Sequence, residues 1–281
     1  MNSSLVVLTD FSAAAERARR YAATLAAALP AELHLVHVYS PEPVPLDFGL
    51  TLPVPDTQYR QRTSQRLDQL AAALPVPATA EVFDTSWDLA VSQAVEKYRP
   101  QLLVAGLTTT DGLLDDWLSN RVLAVPQRVD CPVLLVPEHL PASGLRPPRQ
   151  LALALEDRPF RLTPGATALA PLLDALGPDI VAVTVLDAHE RAGGWDGLRA
   201  AQTSGLAAAM PRCGLHKVLG QQAGSGILQG VDELEADVLA LLDQGHGWLH
   251  KLFTGSVTGY VARHTPVPLL LLPAQRADTP A

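Results

Sequence analysis

Gln101-Leu-Leu-Val-Ala-Gly106 and, one helical stretch later, Cys131-Pro-Val-Leu-Leu-Val-Pro137 decide how this chain folds. Each is a short continuous apolar run, the pattern of a strand covered on both faces. Both return late in the chain, as Asp237-Val-Leu-Ala-Leu-Leu242 and Val267-Pro-Leu-Leu-Leu-Leu-Pro273. Pro132 to Pro268 and Pro137 to Pro273 are offsets of 136, and Val91, Gln93 and Val95 land on Ile227, Gln229 and Val231 at that same offset. A repeat of this length means one fold unit used twice, so each copy tests the reading of the other.

Upstream, Ser4-Leu-Val-Val-Leu-Thr9 reads as the first strand, and Ser12 as the N-cap of an Ala-rich helix that runs to Leu29 and stops at Pro30. Further strands are expected at residues 32–39, 79–83, 102–105 and 133–136, with helices over 58–74, 88–98 and 113–129 between them. Strands alternating with helices imply right-handed crossovers and a parallel sheet. The second copy follows with strands near 151–155, 180–186, 216–219, 238–242 and 269–272. Its offset is 146 early, if Asp10 matches Glu156, and 136 late, so it has lost about ten residues between its second strand and second helix. The proline-rich stretch from Pro41 to Asp56 occupies that place in the first copy, where the largest difference between the copies is expected. The domains are read as residues 1–140 and 150–275, joined by Arg146-Pro-Pro-Arg149. The apolar last strands of the two copies would leave adhesive edges, and antiparallel pairing across a pseudo-two-fold axis would bury both.

Composition narrows the function. The 281 residues match two domains and carry a net charge of −8, which argues against nucleic acid or an anionic membrane as the main partner. Cys131 and Cys213 are far apart and form no zinc or disulfide framework. No apolar run has membrane-spanning length, and the N-terminus lacks the basic lead of a signal peptide, so a soluble cytoplasmic protein is expected. His246 and His250 have helical ligand spacing but no following acid, and read as a solvated helix face. His34 and His37 lie three apart on a strand and face opposite sides. Gly224-Ser-Gly226 imitates a dinucleotide loop but lacks its last glycine. No nucleophile elbow, Gly-x-x-x-x-Gly-Lys loop or Ser-Gly-Gly loop occurs, so no catalytic or metal-binding residue is assigned.

Val7-Leu-Thr-Asp-Phe-Ser12, Leu103-Val-Ala-Gly106 and Cys131-Pro-Val-Leu-Leu-Val-Pro137 make the chain resemble the universal stress protein family in its tandem form, over almost the whole length. The resemblance implies two flavodoxin-like α/β domains, each a five-stranded parallel sheet in the order 3-2-1-4-5, with any nucleotide at the carboxyl ends of strands one and four. In nucleotide-binding members, strand four ends in Gly, two residues, Gly, nine residues, then Gly-Ser or Gly-Thr. Glycines let backbone N–H groups approach phosphate oxygens, and a helix N-terminus favours the anion. In the first copy the template falls on Gly106, Thr109, Ser119 and Asn120, and in the second on Leu242, Gly245, Gly255 and Ser256. The second copy therefore keeps the better phosphate loop, with Gly245, Gly255, Ser256 and Val257, and the first retains Asp10 and Gly106. Glu156, or Asp157, stands where the family's adenine-side acid would be.

The resemblance implies a sensor or binding module in stress response, with ATP or another adenine nucleotide, and Mg, in the second half. The rival is a nucleotide-free protein-interaction scaffold. A slow ATP hydrolase comes third, since neither a base nor a metal ligand set is visible. Whether the chain dimerises beyond its intra-chain pair is left open.

Overall fold

The computed structural model describes residues 3–39, 43–45, 51–53, 57–108, 125–244 and 257–277. The first copy contributes β1 (Ser3–Leu8), α1 (Ala13–Ala28), β2 (Ala31–Tyr39), a short hairpin of β3 (Pro43–Pro45) and β4 (Thr51–Pro53), α2 (Thr57–Ala72), β5 (Ala78–Asp84), α3 (Trp87–Tyr98), β6 (Leu102–Leu107), α4 (Val125–Val129) and β7 (Val133–Pro137). The second contributes β8 (Gln150–Ala154), β9 (Phe160–Leu162), α5 (Pro164–Thr167), α6 (Ala170–Leu176), β10 (Asp179–Leu186), α7 (Trp195–Gln202), β11 (Gly214–Leu219), α8 (Ala223–Glu233), β12 (Val238–Asp243), α9 (Val257–His264) and β13 (Leu269–Arg276).

All principal strands join one sheet, in the order β11-β10-β8-β12-β13-β7-β6-β1-β2-β5. Each half is parallel with its own strands in the order 3-2-1-4-5, and both copies use the same register: Leu5 lies opposite Leu102, and Leu151 opposite Val238. That register pairs Asp10 with Glu156 across the repeat. Between the halves, β7 and β13 run antiparallel, with Leu269 opposite Leu135, Leu270 opposite Leu134 and Leu271 opposite Val133. Each strand's unpaired edge is thereby covered by the other, as two apolar edges of one sequence type would require. Arg146 and the backbone N–H groups of Arg149 and Gln150 tie the connection between the halves to Asp237, at 2.8, 2.7 and 3.1 Å.

Side chains alternate between two apolar layers. Leu5, Val7, Leu102, Val104, Leu270 and Leu272 meet one layer, which holds α1, α2, α6 and α7. Val6, Leu8, Leu103, Ala105, Leu269 and Leu271 meet the other, which holds α3, α8 and α9. A strand covered on both faces has no polar register to display, which accounts for the continuous apolar runs. At the start of α1, the Ser12 hydroxyl accepts from Ala15 N at 3.1 Å, and Asp10 Oδ1 accepts from Ser12 N at 2.9 Å.

Among the described residues the copies differ in two connections, of which the sequence pattern exposed one. Residues 40–56 join β2 to α2, whereas residues 187–194 suffice between β10 and α7. The other difference lies in the first crossover. In place of a single helix like α1, the second half has β9 and two short helices, each with a proline in its first turn. Strand β9 pairs antiparallel with the end of β13, Leu162 opposite Ala274 and Phe160 opposite Arg276. The expected difference at Pro41–Asp56 shows as the longer connection, and the remodelled first crossover stands beside it as one the sequence pattern did not announce. Pro159, Pro164 and Pro171 interrupt the Ala-rich helical pattern that Ala13–Ala28 carries unbroken.

Candidate functional site

At the carboxyl end of the second half's sheet, β8 and β12 part company: the chain leaves β8 over one face and β12 over the other. Such a switch point leaves a crevice. Here it holds a cavity of about 130 Å³ lined by Ala154, Leu155 and Glu156 at and just past the end of β8, Leu241, Leu242 and Gln244 at and just past the end of β12, and Val185 of β10. Ala223 and Ile227 of α8, Val257 at the start of α9 and Arg276 at the end of β13 complete the lining. The floor is apolar and the rim polar, with Glu156 and Arg276 exposed and Gln244 half-buried. A crevice of this kind can hold a flat apolar group while a few polar atoms fix its orientation.

The repeat shows why the cavity opens here. Ala223 opens α8, and at the matching offset of 136 the first copy opens α3 with Trp87, which is buried in the core. Ala154 likewise stands where the first copy has the buried Leu8. Two large side chains on this face of the first half are thus alanine in the second. On the opposite face the exchange runs the other way. A Cβ on Gly106 would stand 2.5 Å from the Ala14 carbonyl carbon and 2.7 Å from Ala15 N, so glycine lets α1 begin against β6. Leu242 occupies the matching position, where the second copy has no helix starting so early. The copy without the first loop glycine is also the copy in which no helix begins against the strand end. Gly106 is accounted for by close helix packing, a role that needs no ligand.

The acid positions also separate. Asp10 spends its carboxylate on the turn into α1, and Phe11 follows in the left-handed region at φ 66°. The Phe11 ring lies 4.8 Å from the His37 ring and 4.4 Å from the Arg66 guanidinium carbon. His37 Nδ1 bonds the Thr9 carbonyl oxygen at 2.8 Å, and burial holds the pKa of that imidazole below its ordinary value. In the second copy Glu156 points to the cavity rim. Its neighbour Asp157 accepts from Asp196 N at 2.9 Å, and the N–H groups of Gly194, Asp196 and Gly197 hold its carboxyl below the ordinary value. Of the two acids matched to Asp10, Asp157 is committed to the start of α7 and Glu156 lines the cavity.

Of the proposed phosphate loop, Val257 is on the cavity wall, while Gly245, Gly255 and Ser256 lie outside the described residues, as do Thr109, Ser119, Asn120, Trp117, His246, His250 and Phe253. The sequence reading missed Gln244, Ala223 and Arg276. Comparing Trp87 with Ala223 at the repeat offset would have found Ala223. The imitation loop is resolved as packing: Gly224 and Gly226 belong to α8, and a Cβ there would meet the Tyr260 ring at 2.6 Å and the Val185 methyls at 2.7 Å. His34 and His37 have separate partners, Thr79 Oγ1 at 2.7 Å and the Thr9 carbonyl. Burial pushes the Cys131 thiol up to about 12, which leaves it inert as a nucleophile.

The family model described as the universal stress protein family matches residues 1–137 and again 167–273. The chain belongs to the universal stress protein family. Solved structures carry the same fold across this tandem member's length. A universal stress protein from Archaeoglobus fulgidus is 17% identical, with 98% of this chain and 97% of that one covered at a TM-score of 0.61. A putative universal stress protein from Pseudomonas aeruginosa is 15% identical, with 97% and 94% covered at 0.52. The cytoplasmic domain of a prokaryotic cation chloride cotransporter is 11% identical, with 97% and 95% covered at 0.51. None of the curated protein sequences matches the chain. Among the described residues of this universal stress protein, no helix is long and apolar enough to cross a membrane.

Proposed function

We propose that this universal stress protein is a binding module in stress response that takes an adenine nucleotide in its second half, residues 150–275, while the first half, residues 1–140, serves as its packed partner. The observation that carries the proposal is the cavity at the second switch point, with Ala154 and Ala223 where the first half has Leu8 and Trp87. The apolar floor of Ala154, Leu155, Ile227, Leu241 and Leu242 suits a purine face, and Glu156 is placed to accept from an amino group or a ribose hydroxyl. The phosphates would take the backbone of Gly245, Gly255, Ser256 and Val257, of which Val257 opens α9. Mg would screen the phosphate charge. With Leu242 in place of the first loop glycine, binding is expected to be micromolar or poorer, roughly 8 kcal/mol or less.

Titration calorimetry with ATP and Mg on the parent and on Ala223→Trp tests this, because the substitution places the first copy's residue in the second copy's cavity. Heat in the parent and none in the variant is the expected result. Equal affinity in both would put the nucleotide elsewhere. No heat in the parent, together with no nucleotide released on denaturation by mass spectrometry, would turn the reading to a nucleotide-free interaction scaffold.

A further inference from the structure

We infer that Arg276 is the phosphate-binding cation of the second-half cavity, an inference that rests on the nucleotide reading above. Among the described residues lining the cavity Arg276 is the one cation, in a chain of net charge −8. The one acid of the lining, Glu156 on the rim, lies 3.9 Å from the Nε of Arg158, which is outside the lining. A polyphosphate entering beside that carboxylate is favoured by a positive charge in the cavity wall. A guanidinium suits the task because its planar fork matches two phosphate oxygens at once.

The side chain is oriented for this. Its Nε donates to Gln244 Oε1 at 3.2 Å, and among the described residues no carboxylate pairs with the guanidinium. The backbone beneath it is held as well. Phe160, Arg161 and Leu162 pair with Arg276, Gln275 and Ala274, and the Thr163 backbone N–H and hydroxyl donate to the Pro273 carbonyl at 3.1 and 3.2 Å. Phe160 and Ala274 are buried, so the ladder is anchored in the core.

This device belongs to the second half alone. The residue at the repeat offset is Leu140, buried, beyond a β7 that ends at Pro137. Strand β9, which holds the end of β13, is the element added when the first crossover was remodelled. The half with Leu242 at the loop-glycine position and β9 in its first crossover is thus the half with an arginine at its cavity. The geometry makes Arg276 read the charge of the nucleotide and leaves the base to the apolar floor. The full-length protein should therefore bind ATP more tightly than AMP, and AMP more tightly than adenosine.

The test is titration of the parent, Arg276→Gln and Arg161→Gln with ATP, AMP and adenosine, at about 50 and about 300 mM salt. Glutamine keeps the β9 ladder and a partner for Gln244, and Arg161 lies on the same ladder outside the cavity. Melting temperatures of both variants should equal the parent's. Arg276→Gln should lose about tenfold or more in ATP affinity, keep its adenosine affinity, and lose most of the salt dependence. Arg161→Gln should behave as the parent. A parent that binds ATP, with Arg276→Gln binding it equally, would overturn the inference and leave the nucleotide reading standing. Equal losses for ATP and adenosine would also overturn it, since the residue would then be structural. A parent that binds none of the three would defeat the nucleotide reading itself.

Discussion

The ends of β1 and β8 carry the same position in the same register, yet they lead to different surfaces. After β1, Asp10 and Ser12 cap the turn, Phe11 is pinned between His37 and Arg66, and α1 begins directly against Gly106. After β8, Glu156 turns to the rim, Asp157 caps α7 instead, and the chain runs through β9 before its first helix. The contrast teaches that a buried parallel sheet tolerates little change while the connections at its carboxyl end are free to vary, and that function follows the connections. The polar fringe varies in the same way. Glu81 and Lys97 form an ion pair at 2.7 Å in the first copy, and the matching positions hold His216 and Glu233, 2.6 Å apart, with the acid moved from the strand to the helix.

The sharpest way to break this comparison is to open the first half. Trp87→Ala should create there the space that Ala223 leaves in the second half, at a cost of about 3–5 kcal/mol in chemical denaturation. A loss under about 1 kcal/mol would mean that Trp87 is not what fills the first copy.

The seam offers a nearly equal test. Leu134 and Leu270 face each other across β7 and β13 and are both buried. Leu134→Lys and Leu270→Lys should each cost about 3–4 kcal/mol, because an unpaired ammonium is placed between two apolar strands. Unequal melting temperatures for the two variants would show that the halves do not share the seam symmetrically.

Exchanging the residues at the end of strand four is the next step. Gly106→Leu must push the first turn of α1 from β6 and should cost about 2–3 kcal/mol. Leu242→Gly, at a half-buried position where no helix starts as α1 does against Gly106, should cost about 1–2 kcal/mol. Equal costs in thermal unfolding would contradict the different packing at the two positions.

The smallest expected effect concerns Asp157. Its carboxyl is held below the ordinary value by the N–H groups at the start of α7, so the folded state favours the charged form. That contribution is present above the unfolded pKa and is lost as pH falls through the folded one. Asp157→Asn should therefore cost about 0.5–1 kcal/mol at neutral pH, a cap energy reduced by solvent exposure, and nothing in strong acid. Asp10→Asn, whose acid caps a different turn, gives the first-half comparison. A pH-independent difference between Asp157→Asn and the parent would show that the carboxylate charge contributes nothing.

Much of this architecture was legible in the chain alone. The offset of 136, the apolar runs at 102–105, 133–136, 238–242 and 269–272, and Ser12 as a cap led to two α/β units with parallel sheets, and the family resemblance implied their strand order. They did so because a two-faced buried strand has a distinctive composition, and because register repeats when the pattern repeats. What stayed hidden were contacts between residues far apart in sequence. Phe160-Arg-Leu162 has no strand pattern of its own and becomes a strand only because the end of β13 offers it a partner. Gly106 looks like a loop glycine until Ala14 and Ala15 are placed beside it. Arg276 follows the last apolar run like any solvated tail residue, and only the ladder with β9 carries it to the cavity. Local pattern determined which segments are strands and helices. Tertiary structure decided that the second switch point holds a cavity, because that depends on side-chain volume summed over elements the sequence holds far apart.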